Sequence, residues 1–359
     1  MNEISVKVPG KLYIAGEYSV VTPGQSAIIM TVDRFLTVTI RPSHVNSFFS
    51  EGFMTRPLTW NLNNQNICIW SDHADSNPLV KQVIQTFEHY RHELQLTARH
   101  YEITIESTLN HIDGQKFGLG SSGALCVGLV KALGAFYKLA LSPKKIYQLA
   151  VLAQLQLQMS SSFGDLAASA YTGMIRYSSP DQKTIRQWLN ESITLREILA
   201  RDWPLFSVTP IELPSQWTFS VGWTKSPASS HSFVSRVYKN ATHMEKFWTG
   251  SEKCVEDLVL AYQQENWQLF CQAIATNRLL LNDLASHTQV QIETSALRQF
   301  CDLAEKHDGI GKSSGAGGGD CGIAWFNHHE KQTYFNKQLT ESKRISLLNL
   351  TLYKEDFCD

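Results

Sequence analysis

The sequence predicts an α+β fold made of two domains. The chain has 359 residues, and at about 100–200 residues per domain this length predicts two domains. Strand-like and helix-like segments are mixed without a regular βαβ period, which favours α+β over α/β. Residues 202–214 have the composition of a connection between domains, so we place the domains at residues 1–200 and 201–359.

Composition and charge narrow the class of protein. Hydrophobic residues make up 43% of the chain and charged residues 18%, as in ordinary globular proteins. The 32 Lys and Arg balance 33 Asp and Glu, so we expect neither a nucleic-acid nor a membrane partner. The seven cysteines are scattered without a Cys-x-x-Cys pair, which predicts no disulfide framework. Without a signal-peptide pattern at the start, we expect a reduced, cytoplasmic protein.

The first domain begins with strands and continues with helices. Alternating, β-branched segments predict strands at residues 5–8, 27–32, 35–40 and 101–105. An Asn-Pro pair predicts an amphipathic helix from Pro78. Residues 124–139 have almost no polar face, which predicts a helix buried in the middle of the domain. Two further helices are expected at about 143–159, after a Ser-Pro start, and from Gly164.

The second domain reads as one strand followed by helices and a final strand. Residues 217–223 alternate as a strand. Helical periodicity then predicts helices at about residues 231–248, 252–265, 267–286 and 294–307, followed by a strand at 322–326.

The strongest local signal is the glycine-rich segment Gly118-Leu119-Gly120-Ser121-Ser122-Gly123, directly before the predicted buried helix. Its glycines allow a ligand to approach the backbone closely, and its two hydroxyls supply donors. A helix start adds unpaired N–H groups and a partial positive charge. The segment therefore predicts an anion site, most naturally for phosphate.

Two nucleotide-binding motifs do not account for this segment. A dinucleotide loop follows its strand directly and has an acidic residue about 20 positions later, whereas no Asp or Glu occurs between residues 124 and 164. A Walker A loop ends in Gly-Lys-Ser/Thr, which is absent here. A tight turn that only caps a core helix remains the alternative.

Three ordered segments are similar to the motifs of the GHMP small-molecule kinases. Residues 7–18 (KVPGKLYIAGEY) resemble the first motif, 118–123 the phosphate loop, and 312–322 (KSSGAGGGDCG) the third motif. The resemblance implies a two-domain GHMP kinase fold with the active site in the cleft between the domains, and ATP and Mg as cofactors.

Within that family, further segments resemble the branch that acts on phosphomevalonate. They are residues 163–169, 202–204 and 223–229. The resemblance implies ATP-dependent phosphorylation of phosphomevalonate to diphosphomevalonate in isoprenoid synthesis. A sister kinase acting on a hydroxyl group of mevalonate or homoserine, or a catalytically silent nucleotide-binding homologue, remains open.

The resemblance also implies two catalytic residues, Asp165 and Lys11. Asp165 stands at a predicted helix start, where the helix dipole favours its ionised form, although a simple helix cap would look the same. The phosphate that attacks is largely ionised near neutral pH, so electrostatic placement matters more than base strength. Lys11 would offset the charge of two approaching phosphates.

The remaining site residues come from the same resemblance. The 118–123 segment would bind the ATP phosphates, with Ser122 as a metal ligand. The helix before Asp165 carries Gln154 where related kinases place a metal-binding glutamate, and an amide is a poor substitute on Mg. Seven of the 21 glycines lie in residues 309–322, a flexible linker or a loop over the active site. The expected substrate contacts are Tyr18, Ser226, Ser229, Gly317 and Gly318.

Overall fold

A computed structural model describes residues 3–355, except 53, 72–76, 112, 160, 192, 227–229, 241–243 and 343. The strands of this part of the chain are β1 (Ile4–Ala15), β2 (Ser26–Pro42), β3 (Asn46–Ser50), β4 (Leu58–Leu62), β5 (Cys68–Trp70), β6 (Tyr101–Ser107), β7 (Met174–Ser178), β8 (Ser207–Ile211), β9 (Thr218–Trp223), β10 (Ile310–Ser313), β11 (Cys321–Phe326) and β12 (Ser346–Leu348). The helices are α1 (Pro78–Glu93), α2 (Ser121–Phe136), α3 (Pro143–Gln156), α4 (Gly164–Tyr171), α5 (Gln182–Asn190), α6 (Leu195–Ala200), α7 (Ser230–Asn240), α8 (Glu245–Gln263), α9 (Trp267–Thr288), α10 (Ser295–Lys306) and α11 (His329–Glu341).

The first sheet contains the first eight strands, in the order β5-β4-β3-β6-β2-β7-β8, with β1 paired to β2. The strands predicted at 27–32 and 35–40 are one long strand, β2, because Asp33 and Arg34 do not end it. Asp33 and Arg34 form a bulge opposite β1: Pro9 pairs with Phe35 and Gly10 pairs with Val32, so the register shifts by two residues there. This irregularity lies directly before Lys11.

Helix α2 lies against β1 and β2, as its apolar composition predicted. It begins at Ser121 rather than at residue 124, so the last three residues of the glycine-rich segment form its first turn. Close packing requires glycine at 128, where a Cβ atom would lie 2.7 Å from Val38 Cγ2. The helix is thereby held deep against the sheet, with its N-terminus at a fixed place.

The second sheet is antiparallel, in the order β10-β11-β9-β12. Its strands at 218–223 and 321–326 and the helices α9 and α10 match the predicted positions. The helices predicted at 231–248 and 252–265 divide elsewhere, because α8 runs without interruption through residues 248–252. Gly250 lies inside α8 rather than at its end, with a Leu280 side chain packed over it.

Residues 202–214 are more than a connection. β8 pairs with β7, with Ile211 opposite Met174, and extends the first sheet. Most of β8 is exposed or half-buried, so its residues lack the apolar alternation that identifies a strand from sequence. The domain boundary at residue 200 stays a prediction, and the chain passes from the first sheet to the second between Ile211 and Thr218.

The chain end returns to the first sheet. Thr31 Oγ1 donates a hydrogen bond of 2.6 Å to the carbonyl of Tyr353, and Lys131 Nζ lies 2.6 Å from Glu355 Oε2. The tail therefore joins the last strand of the second sheet to β2. Within the described residues, no helix has the length and apolarity needed to span a membrane.

Replacing Trp325 with alanine is expected to destabilise the fold by about 3–5 kcal/mol. Trp325 is fully buried in β11 and packs against Phe219 and Phe270, so truncation leaves a cavity. Urea unfolding followed by circular dichroism measures the change. Tyr334→Ala is the matched control, because its side chain is 63% exposed. Equal unfolding midpoints for the two variants would contradict this assignment of the core.

Candidate active site

A cavity of about 560 Å³ lies between elements of the first sheet and the loop that follows β10. Its walls come from β1, the N-terminal ends of α2 and α4, α7, and the loop between β10 and β11. The residues around it that the sequence singled out are Lys11, Tyr18, Gly118, Leu119, Gly120, Ser121, Ser122 and Asp165.

The N-terminus of α2 offers its backbone donors to this cavity. Gly120 precedes the helix in the left-handed region, with φ of 80°, and as a glycine it makes no side-chain cap. The first N–H group bonded within the helix is that of Ala124, which donates to Gly120. The amides of Ser121, Ser122 and Gly123 precede that bond, as do the unpaired donors of any helix start. The glycine-rich segment thus has the geometry of an anion site.

Lys11 is held against this segment by two contacts. Its backbone N–H donates to Leu119 O at 2.9 Å, and its ammonium donates to Gly118 O at 2.9 Å. Glycine at 120 permits this approach, since a Cβ atom there would lie 2.9 Å from Lys11 Cε. Burial lowers the pKa of Lys11, and the negative charges of Asp165 and Asp320 oppose that shift.

Asp165 enters the cavity from the first turn of α4, as the sequence predicted. The residue before the helix is Phe163, so Asp165 itself is not the cap. Its Oδ1 accepts a hydrogen bond of 3.0 Å from the Leu166 N–H. Burial raises the pKa of Asp165, and Lys11 opposes the rise. A Cβ atom at Gly123 would lie 2.5 Å from Asp165 Oδ2, so only glycine lets α2 pass this carboxylate.

Only some of the predicted substrate contacts line the cavity. Tyr18 lines the cavity, and its hydroxyl donates to Ala316 O at 2.5 Å. Gly317 and Gly318 are outside the lining residues, since Cβ atoms there would meet Ile292 and Phe233.

Two serines complete the predicted set. Ser226 is exposed, and its carbonyl accepts a 2.8 Å hydrogen bond from Asp320 N. Ser226 thus contacts the loop between β10 and β11, which we call the glycine loop, through its backbone. Ser229 lies outside the described residues.

Several lining residues were missed by sequence reasoning. Lys116 adds a second lysine beside the glycine-rich segment, and its position two residues before Gly118 was an available signal. Ser162 also lines the cavity, where its hydroxyl lies 3.1 Å from the Tyr13 hydroxyl. Val234 comes from α7, and no local pattern in the sequence links α7 to this site.

The donors present are compatible with magnesium. Ser122 is exposed at the cavity and Asp165 supplies a carboxylate, both hard oxygen ligands. Among the described residues, no three His, Cys, Asp or Glu side chains form a metal cluster. Magnesium commonly uses only one or two carboxylates together with substrate phosphates, so the residues fit such a site. Gln154 lines the cavity as an amide, with its Nε2 3.6 Å from Cys126 Sγ.

Taken together, the arrangement suits the transfer of a phosphoryl group. That reaction requires positioning and neutralisation of charge more than covalent chemistry. Helix α2 provides donors for phosphate oxygens, and Lys11 provides a fixed cation. Asp165 provides a carboxylate in the same cavity.

Comparisons with known proteins agree with this chemistry. The chain matches the families described as GHMP kinases N terminal domain, over residues 78–173, and GHMP kinases C terminal, over residues 256–336. It is 34% identical over 331 residues to the phosphomevalonate kinase of Streptomyces sp. (strain CL190), covering 88% of each chain.

Solved structures show the same likeness over almost the whole chain. A Listeria innocua protein matches with a TM-score of 0.92 at 30% identity, covering 98% of each chain. The Streptococcus pneumoniae phosphomevalonate kinase, in complex with phosphomevalonate and AMPPNP, matches with a TM-score of 0.86 at 30% identity. That match covers 98% of this chain and 100% of the other.

Gly123→Ala is expected to lower activity about tenfold or more, because the new methyl group displaces the Asp165 carboxylate. Stability should not fall in parallel, since alanine favours a helix by about 1 kcal/mol over glycine. Turnover and thermal unfolding measured together test this. Gly250→Ala, inside α8 beneath a flexible Leu280 side chain, is the control. Full activity in Gly123→Ala would show that the close approach is unimportant.

Lys11→Arg is expected to move the alkaline limb of the pH–activity profile to higher pH. Because the pKa of Lys11 is lowered by burial, its ammonium loses its proton at a lower pH than an exposed lysine would. Arginine stays protonated throughout. The profile of kcat/KM between about pH 6 and pH 10.5 measures the shift. If both proteins lose activity at the same alkaline pH, another group is responsible for that limb.

Proposed function

The chain belongs to the GHMP kinase family, and from that premise we propose how its cavity converts phosphomevalonate and ATP into diphosphomevalonate and ADP. It is a homologue of phosphomevalonate kinase, a kinase of the mevalonate pathway. The observation that carries the mechanism is the meeting of Lys11, Asp165 and the uncapped start of α2 in one cavity.

The start of α2 binds the phosphates of ATP. Backbone N–H groups of Ser121, Ser122 and Gly123 donate to phosphate oxygens, and the two serine hydroxyls add further donors. Lys116 stands beside the segment as an additional cation. These donors are fixed by the helix, so little reorganisation is needed when negative charge shifts during transfer.

Magnesium is the metal that this site suits, with Ser122 as its ligand from the chain. When bound, magnesium would neutralise negative charge on the phosphate oxygens. The Asp165 carboxylate is a second oxygen donor that lines the same cavity. An amide at Gln154 adds no negative charge to the site.

Lys11 and Asp165 act as a charged pair on the reacting groups. The acceptor phosphate has a second pKa of about 6, so it is largely ionised before it attacks. Proton removal by Asp165 is therefore a minor requirement, and its negative charge favours the protonated form of Lys11. That ammonium in turn offsets the repulsion between the two phosphates. Both groups are fixed by neighbouring backbone contacts.

The acceptor occupies the part of the cavity between Tyr18 and the glycine loop. Gly317 and Gly318 contribute indirectly. Because they have no side chains, the loop can pack closely against Ile292 and Phe233. Ser226 supports the loop through its carbonyl, and Ser229, three positions later in the sequence, stays a proposed contact of the acceptor. A cytoplasmic location accompanies this function, since ATP is supplied there and all six cysteines of the described part are unpaired.

The decisive experiment is release of ADP by the purified protein with ATP and magnesium. Phosphomevalonate, mevalonate and homoserine are compared as acceptors, and phosphorus NMR identifies the product. We expect turnover with phosphomevalonate and a diphosphate product. A monophosphate product would support a hydroxyl kinase instead. No turnover with any acceptor would support a silent nucleotide-binding protein.

Asp165→Asn is expected to reduce kcat about 100–1,000-fold, because a fixed charge at the reacting groups is lost. The fold should persist, since asparagine has nearly the same size. Asp308→Asn is the matched control, because Asp308 is largely exposed and lies outside the cavity. Unchanged turnover in Asp165→Asn would refute the catalytic assignment while leaving the fold intact.

A further inference from the structure

A buried ion pair beside the cavity joins residues 7–18 to residues 312–322, the first and third segments that resemble the kinase motifs. Lys312, on β10, donates to Glu17 Oε1, and both side chains are almost completely buried. The same ammonium donates to Ser313 O at 2.7 Å. Glu17 also lines the cavity, and its second oxygen has no hydrogen-bond partner among the described residues. Glu17 is therefore the member of the pair that reaches the cavity wall, and Lys312 is not among the lining residues.

The backbone next to Glu17 is strained. Tyr18 has φ of 64° and ψ of −52°, and the Ser19 N–H donates to Glu17 O at 2.8 Å. This is the rare γ-turn with positive φ, a conformation that persists only when its surroundings enforce it. Here Tyr238 Oη donates to Tyr18 O at 2.8 Å. The Tyr18 hydroxyl holds the other side of the turn through Ala316 O.

A third contact joins the same two segments of the chain. Tyr13 N donates to Ser314 Oγ at 2.9 Å, and the Ser314 hydroxyl lies 3.1 Å from Tyr13 O. We call the three contacts the loop latch: Glu17 with Lys312, Tyr18 with Ala316, and Tyr13 with Ser314. Together, the three contacts bind residues 13–18 of the first segment to residues 312–316 of the third.

The loop that the latch holds contributes directly to the cavity. Gly315, Ala316 and Asp320 line it, and Asp320 lies so close to Gly118 that a Cβ atom there would be 2.6 Å away. A displacement of residues 314–320 would therefore change the space in which the acceptor meets ATP. The hydrogen bonds of the Lys312 ammonium go to Glu17 and Ser313, and neither residue belongs to the start of α2.

We propose that Lys312 is a positioning residue for the reaction, acting through Glu17 to hold residues 314–320 at the cavity. A buried ion pair is weak evidence for stability, because its desolvation offsets its attraction. Its place here, between two loops and beside a strained turn, gives it a positional role instead. The inference rests on the proposed function, since it concerns the geometry of acceptor and ATP.

The test is the double variant Glu17→Gln/Lys312→Met, which removes both charges at nearly constant size. No single buried charge is left behind, so the protein is expected to fold. We expect kcat with phosphomevalonate to fall about 10–100-fold, as for a small misplacement of reacting groups. The Kd of ADP should change by less than about threefold, because Lys312 and Glu17 are not hydrogen-bonded to the backbone donors at the start of α2.

A matched control removes a second buried ion pair far from the cavity. Glu88 and Arg91 form such a pair within α1, and Glu88→Gln/Arg91→Met should lose stability without loss of kcat. An equal fall of kcat in both double variants would overturn the proposal. So would a weakening of ADP binding as large as the fall in kcat.

Hydrogen exchange supplies a measurement that needs no acceptor. The amides of Ser314, Gly318 and Asp320 donate to Cys321, Ile292 and Ser226. In Glu17→Gln/Lys312→Met we expect the peptide covering 311–324 to exchange faster, and in the control variant to be unchanged. Lower kcat without faster exchange would overturn the positioning role. Failure of the wild-type protein to use phosphomevalonate would refute the proposed function alone, because exchange still reports on the latch.

Discussion

The unpaired amide groups at the start of α2 are the constraint on which the rest of the site depends. A helix leaves its first N–H groups without intrahelical partners, and here the residue before the helix is Gly120, which has no side chain to cap them. Gly120 lets the chain turn into the helix at φ of 80°, and Gly128 lets the helix lie against the sheet. The position of these donors is therefore set by backbone packing and does not depend on flexible side chains.

The charged groups around that helix start are kept in an environment that disfavours their charges. Burial lowers the pKa of Lys11 and raises that of Asp165, and each charge partly opposes the shift of the other. Strongly shifted pKa values of this kind cluster at functional sites. Both side chains are held by local backbone contacts, so their positions are set before a ligand arrives.

The third glycine-containing segment shows how the second sheet takes part. Its glycines pack against Ile292 and Phe233, while Ala316 and Asp320 face the cavity. A flexible linker would have no such contacts, so the sequence alternative of a linker is wrong for residues 314–320. The segment binds a strained turn at Tyr18, and the geometry of each is supported by the other.

The sequence alone determined the α+β class and the buried helix α2, because these depend on local periodicity. From glycines close together in the chain it also predicted an anion site at the start of that helix. The resemblance of the sequence to a kinase family added Lys11 and Asp165 as expected catalytic residues. Only the tertiary structure decided that β8 extends the first sheet, that α2 starts at Ser121, and that Gly317 and Gly318 lie behind the loop. It also revealed the latch, whose residues are about 300 positions apart. Contacts over such distances arise from packing of the two sheets, which local patterns do not encode.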